Sequence, residues 1–97
     1  MLNDIAVLKA LAHPIRLGIA QRLAAEPEIC ACDFTEVFTV SQPTISAHLR
    51  VLKDAGVVRT RRDGTTICYS LVPESIQAVS DALGDLVARY TAGATTR

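Results

Sequence analysis

Ser41-Gln42-Pro43-Thr44-Ile45-Ser46-Ala47-His48-Leu49-Arg50-Val51-Leu52 reads as one helix with two unlike faces. Ser41 is a good N-cap, Pro43 falls in the first turn where a missing N–H costs nothing, and Gly56 stands where the helix must stop. Ile45, Leu49 and Leu52 follow an i, i+4, i+7 spacing and form one stripe for burial. The opposite side holds Pro43, Ala47, Arg50 and Asp54, flanked by Thr44 and Ser46. An ordinary solvated helix carries rows of Glu and Lys there. This one offers small and hydrogen-bonding groups.

Downstream, residues 57–61 read as a strand, Asp63-Gly64 as a tight turn and residues 66–72 as the returning strand. On the return, Ile67, Tyr69 and Leu71 share one face while Thr66, Cys68 and Ser70 share the other. A final helix is expected from Pro73-Glu74 to about Tyr90, with Ile76, Val79, Leu83, Leu86, Val87 and Tyr90 as a long apolar stripe. Upstream, Asn3 or Asp4 can cap a helix reaching Ala12 with Ile5, Leu8 and Leu11 on one face. His13-Pro14 interrupts it, and Pro14 suits the first turn of a second helix ending near Ala25, before Pro27. A short third helix is predicted over residues 32–38, where Phe34, Val37 and Phe38 have helical spacing.

A short helix, a tight turn at Thr39-Val40, a small-faced helix and a hairpin with an arginine-rich tip make a winged helix-turn-helix. The fold class is mainly α with a β-hairpin wing, about five helices and two strands. The helix after Ser41 is expected in the major groove, where Gln42, Thr44, Ser46 and Arg50 can reach base edges. Arg59, Arg61 and Arg62 on the wing are expected on phosphates or in the neighbouring minor groove. His48 lies nearer the buried stripe, which places it beside the core or on a phosphate.

Charge distribution agrees. The chain has 97 residues with 10 Lys and Arg against 10 Asp and Glu, so its net charge is zero. Yet residues 41–62 carry Arg50, Lys53, Arg59, Arg61 and Arg62 against Asp54 alone, while residues 24–40 carry Glu26, Glu28, Asp33 and Glu36 unopposed. Residues 63–88 are again acidic, through Asp63, Glu74, Asp81 and Asp85. A local basic segment between acidic flanks is what a phosphate-facing surface looks like in a neutral protein.

The length and a 49% hydrophobic content fit one folded domain, taken as residues 1–92 with a disordered tail over residues 93–97. No basic leader and no long uncharged run argue for a signal or a membrane span. Three cysteines, two of them at Cys30-Ala31-Cys32, do not suit a disulfide framework, and a cytoplasmic protein with thiols open to ligand chemistry is expected. An enzyme with a nucleophilic cysteine needs a base, and neither His13 nor His48 is placed near the thiols in this reading, so no enzyme and no catalytic cofactor is expected.

Leu11-Ala12-His13-Pro14-Ile15-Arg16-Leu17, the run from Ser41 to Leu52, and Ala55-Gly56-Val57-Val58 resemble the ArsR/SmtB family of bacterial metal-responsive repressors. The resemblance extends over residues 5–90. It implies a homodimer built through the first and last helices, which the stripe from Ile76 to Tyr90 suits, and a palindromic double-stranded DNA operator.

Cys30-Ala31-Cys32-Asp33 is similar to the Cys-x-Cys-Asp box of the family's arsenic and antimony sensors, and of its cadmium/lead branch. Thiolates favour soft, thiophilic ions, so Cys30 and Cys32 are the expected ligands of As(III) or Sb(III). The family's arsenic box has a third Cys three residues after the second; here that position is Thr35. Cys68 lies mid-strand and is expected away from the third helix, as a packed or exposed thiol; Cys68, a small external thiol or water is left open as the third ligand. Two residues apart on a regular helix point about 200° from each other, so an ion held by both sulfurs is expected to loosen the first turn and release DNA. A Cd/Pb sensor, or a redox or persulfide sensor using the same thiols, are the alternatives. The latter is disfavoured because neighbours as close as Cys30 and Cys32 make a strained disulfide. Zinc lacks the His that such sites require.

Overall fold

The computed structural model describes the backbone of residues 2–94 and the side chains of residues 4–34 and 38–93. The elements in chain order are α1 (Leu2–Leu11), α2 (Pro14–Ala25), β1 (Ile29–Cys30), α3 (Ala31–Val37), α4 (Gln42–Asp54), β2 (Val58–Asp63), β3 (Thr66–Leu71) and α5 (Pro73–Ala94). This is a winged helix-turn-helix with a three-stranded antiparallel sheet, ordered β1-β3-β2.

The helix boundaries follow from local chemistry. His13 caps α2, its Nδ1 accepting from the Ile15 N–H at 3.1 Å, and Pro14 opens the helix. Ser41 caps α4, its Oγ accepting from the Thr44 N–H at 3.4 Å. At the other end Gly56 takes φ +82, its N–H donating to the Lys53 carbonyl while that of Val57 donates to the Leu52 carbonyl. That crossed pair is a Schellman closure, which needs a residue in the left-handed region and so favours glycine. The chain leaves it already aimed along β2.

Ile45, Leu49 and Leu52 of α4 are buried as one stripe against Val7 and Ala10 of α1, Ile19 and Leu23 of α2, Phe34 of α3, Ile29, Val57, Val58 and Val79. A fully buried Leu, Ile, Val or Phe contributes about 1.5–3 kcal/mol relative to exposure, so this cluster fixes how α4 stands against the other elements. Phe34, at 0% exposure, packs edge-on to Tyr69 with ring centres 6.2 Å apart and ties α3 to β3.

The expected two-strand hairpin wing is present as β2 and β3, and a third strand, β1, which was not expected, joins its edge. Ile29 and Cys30 pair with Tyr69 and Cys68, making β3 the central strand. Two residues are too few to show a periodicity, so β1 leaves no pattern in the sequence. In the hairpin Asp63 pairs with Thr66, so the turn is Gly64-Thr65 rather than Asp63-Gly64, with Gly64 at φ +65. α1 starts at Leu2, which puts Asn3 and Asp4 inside its first turn instead of at its cap. α5 continues through Gly93 and Ala94, two residues into the expected tail; residues 95–97, and the Val37 side chain, lie outside the described residues.

Candidate nucleic-acid interface and thiol site

Gln42, Thr44, Ser46 and Arg50 are all exposed on α4. The Thr44 hydroxyl lies 3.0 Å from Ser41 Oγ, so the capping interaction also orients this side chain. An open cleft of about 480 Å³ runs between α4 and the hairpin, with Ser46, Arg50 and Lys53 on one wall and Thr60 and Ile67 on the other. Helix face and wing are thus brought to a common side.

His48 is half-buried, and its Nδ1 lies 3.3 Å from Arg16 Nη1. A guanidinium has only donors, so this nitrogen accepts and the ring is neutral. Burial lowers the His48 pKa below the ordinary value, and the electrostatic influence of neighbouring His13 and Arg16 lowers it further. Its ring is 4.5 Å from that of His13. Arg16 Nε also donates to the Ala10 carbonyl, so a small polar cluster pins α1, α2 and α4 together beside the core.

The wing arginines differ in their surroundings. Arg61 holds Glu28 in a two-point fork, Nε to Oε2 at 2.9 Å and Nη2 to Oε1 at 2.7 Å, with Asp63 at 4.0 Å. The hydrogen bonds from Arg61 pull the Glu28 pKa below the ordinary carboxylate value, and those same bonds raise that of Arg61. Arg59 has a longer contact, 3.8 Å to Glu74. Arg62, exposed, alternates to the other face of β2.

The thiols depart from the expected arrangement. Cys30 and Cys68 form a disulfide across β1 and β3, with Cα atoms 3.8 Å apart. Cys68 does lie on the face of β3 opposite Ile67 and Tyr69, but β1 pairs along the edge of β3 and sets Cys30, the N-cap of α3, beside Cys68, so the expected separation from α3 is wrong. Cys32 is exposed in the first turn of α3, its Sγ 3.7 Å from Asp33 Oδ1. Cys30 is the N-cap of α3 and has extended backbone, φ −86 and ψ 153. The two cysteines of the box therefore straddle a strand-to-helix junction and do not sit on opposite sides of one helix. Among the described residues no three His, Cys, Asp or Glu side chains are gathered so as to hold a metal ion. Arg61 is opposite Cys68 on β2, so Cys30, Cys68 and Arg61 form one row across the sheet.

Comparison with known proteins gives concordant results. Residues 13–60 match the model of the family described as bacterial regulatory protein, arsR family. The arsenical resistance operon repressor of Staphylococcus xylosus is 40% identical over 77 residues, 79% of this chain and 73% of that protein. The arsenic resistance transcriptional regulator ArsR1 of Pseudomonas putida is 40% identical over 84% of this chain, and the match spans 63% of that protein's length. A crystal structure titled a possible transcriptional regulator for arsenical resistance superposes with a TM-score of 0.74 at 30% identity, over 89% of this chain and 93% of that one. No helix among the described residues is long and apolar enough to cross a membrane.

Proposed function

Since the chain belongs to the arsR family of bacterial regulatory proteins, we propose that it is a cytoplasmic homodimeric repressor that leaves its DNA operator when As(III) or Sb(III) binds the thiolates of Cys30 and Cys32. The observation that carries this reading is the placement of the thiol box at the junction of β1 and α3. α3 packs on α4, whose exposed N-terminal residues face the same side as the arginine wing. Gln42, Thr44, Ser46 and Arg50 read base edges, while Arg59, Arg61 and Arg62 hold the backbone. The two thiols suit a soft metalloid by donor chemistry. Holding it draws the N-cap and first turn of α3 together and shifts the support of α4, a coupling for which about 1–3 kcal/mol is typical.

Dimerisation is supported by the uncovered apolar side chains of α1 and α5: Ile5, Leu8, Leu83, Leu86, Val87 and Tyr90 are 38–76% exposed. A contiguous apolar surface on one chain is the usual mark of a partner. Two copies related by a two-fold axis present two α4 helices to a palindrome.

The Cys30–Cys68 disulfide favours a second reading, a repressor released by oxidation. Two thiols and one peroxide give one disulfide and two waters, and this pair avoids the objection to a Cys30–Cys32 bond. The readings separate in one experiment. Operator-bound protein, reduced beforehand, is titrated with arsenite, antimonite, Cd(II), Zn(II) and peroxide while fluorescence anisotropy follows the DNA, for the native chain and for Cys30→Ser. Release by arsenite or antimonite, lost in the variant, is the expected result; release by peroxide alone overturns the metalloid reading.

A further inference from the structure

We infer that the cleft between α4 and the hairpin seats one phosphodiester strand of the operator, and that Lys53 and Thr60 are the ligands of its phosphate. This rests on the DNA-binding reading above and deepens it, since neither residue is among those assigned to DNA there. That reading puts α4 in the major groove and the wing at the adjacent minor groove. Neighbouring grooves of a duplex are divided by a single sugar-phosphate strand. A protein that enters both grooves must therefore pass this strand between the two elements it inserts. In this fold the space between those elements is the open cleft of about 480 Å³.

The residues that line it suit an anion. Ser46, Arg50 and Lys53 are spaced i, i+4, i+7 along α4, each one position after a member of the buried stripe Ile45, Leu49 and Leu52. They form a row beside that stripe, turned toward the hairpin. All three are exposed, as is Thr60 on the facing wall, whose hydroxyl can donate to a phosphate oxygen.

Electrostatics separates these cations from those of the wing. Arg61 is forked to Glu28, and Arg59 lies 3.8 Å from Glu74. Among the described residues no carboxylate forms an ion pair with Arg50 or Lys53. A cation already answered by an acid gains little from a phosphate, whereas an unanswered one releases its counterion when the phosphate arrives. Asp54 is the one carboxylate bordering the cleft; against two cations it leaves the cleft net positive. Lys53 carries a compact charge on a flexible stem, which suits a phosphate, while the planar fork of Arg50 is kept for a base edge. Thr60 meets the same strand from the wing, so helix and hairpin grip one phosphodiester from both sides.

The test reads salt dependence on two duplexes. The native chain selects an operator from random duplexes, and that operator and an unrelated duplex of equal length are titrated between 50 and 200 mM salt, followed by anisotropy. Lys53→Gln is expected to weaken both duplexes alike and to lower the slope of log K against log salt by about 0.9 per chain, about 1.8 for a dimer. Over this range it then loses about 12-fold less affinity than the native chain. Lys53→Arg, which keeps the charge, is expected to keep the native slope. Asp54→Asn is expected to tighten binding to both duplexes, and Thr60→Val to weaken it with the slope unchanged. A single methylphosphonate, walked along the operator, is expected to find a position that weakens the native chain but not Lys53→Gln. A native slope in Lys53→Gln, a loss confined to the operator, or a walk that finds no such position overturns the inference and leaves the DNA-binding reading standing. A native chain that selects no duplex overturns both. Lys53 is exposed, and unchanged helical circular dichroism of Lys53→Gln shows that its slope reports the lost charge.

Discussion

Replacing Glu28 with Gln is expected to steepen the salt dependence of DNA binding. In the present structure Arg61 is held by Glu28 through two hydrogen bonds of 2.9 and 2.7 Å, so its charge is largely answered within the protein. A paired arginine releases few counterions when it meets a phosphate; an unpaired one releases its full share. Each phosphate neutralised contributes about 0.9 to the slope of log K against log salt, so two Arg61 side chains in a dimer add up to about 1.8. Between 50 and 200 mM salt, that added slope means the variant loses about 12-fold more affinity than the native chain. Gln keeps the shape of Glu28, and affinity is followed by anisotropy on a short operator duplex. In an Arg61→Ala background the same substitution is expected to change the slope very little, because the interaction it removes is absent. Parallel salt curves for the native chain and Glu28→Gln would refute the assignment of Arg61 to a phosphate. Acid cannot substitute for the mutation near neutrality, since Arg61 holds the Glu28 pKa below the ordinary carboxylate value and the fork opens only below that.

Leu52→Ala, at a position with 0% exposure in the centre of the α4 stripe, is expected to cost about 2–5 kcal/mol. That is a large share of the roughly 5–15 kcal/mol such a domain possesses, and the urea midpoint should fall with little change in slope. His48 has a lowered folded pKa, so above the ordinary value both states are neutral and nothing is lost. As pH falls through that value the unfolded chain protonates first and stability declines, down to the folded pKa. His48→Gln should flatten that decline, as compared by urea unfolding at pH 7.5 and 5.5. Val87 is 67% exposed within one chain, so Val87→Glu should leave the helical circular dichroism intact while shifting sedimentation from dimer to monomer. An unchanged dimer would move the interface off α5.

Much of this architecture is legible in the residues because the signals are local. Ser41 and Gly56 bracket α4 through caps that involve only their neighbours, and Ile45, Leu49 and Leu52 declare their burial by spacing alone. The exposed face carrying Gln42, Thr44, Ser46 and Arg50 follows from the same period. What the residues do not announce is long-range register. β1 is two residues long, and its pairing with Tyr69 and Cys68 exists only once the chain has folded back over 38 positions. The Cys30–Cys68 contact and the Glu28–Arg61 fork both depend on that strand. Reading Cys30 and Cys32 as one helix turn thus missed the partner that the sheet supplies, and reading Arg61 as a bare cation missed the acid beside it.

The central position of β3 has a consequence for anyone rebuilding this protein. A hairpin flanked by solvent on both edges can be exchanged between relatives as a self-contained part. Here the returning strand is shared, giving one edge to the arginine strand and the other to the segment that launches α3. A transplanted wing must therefore bring residues that fit opposite Ile29 and Cys30, and a redesigned thiol segment must fit the wing it inherits. On the function proposed above, operator preference and inducer preference would share β3, and variation in one is expected to be accompanied by adjustment in the other.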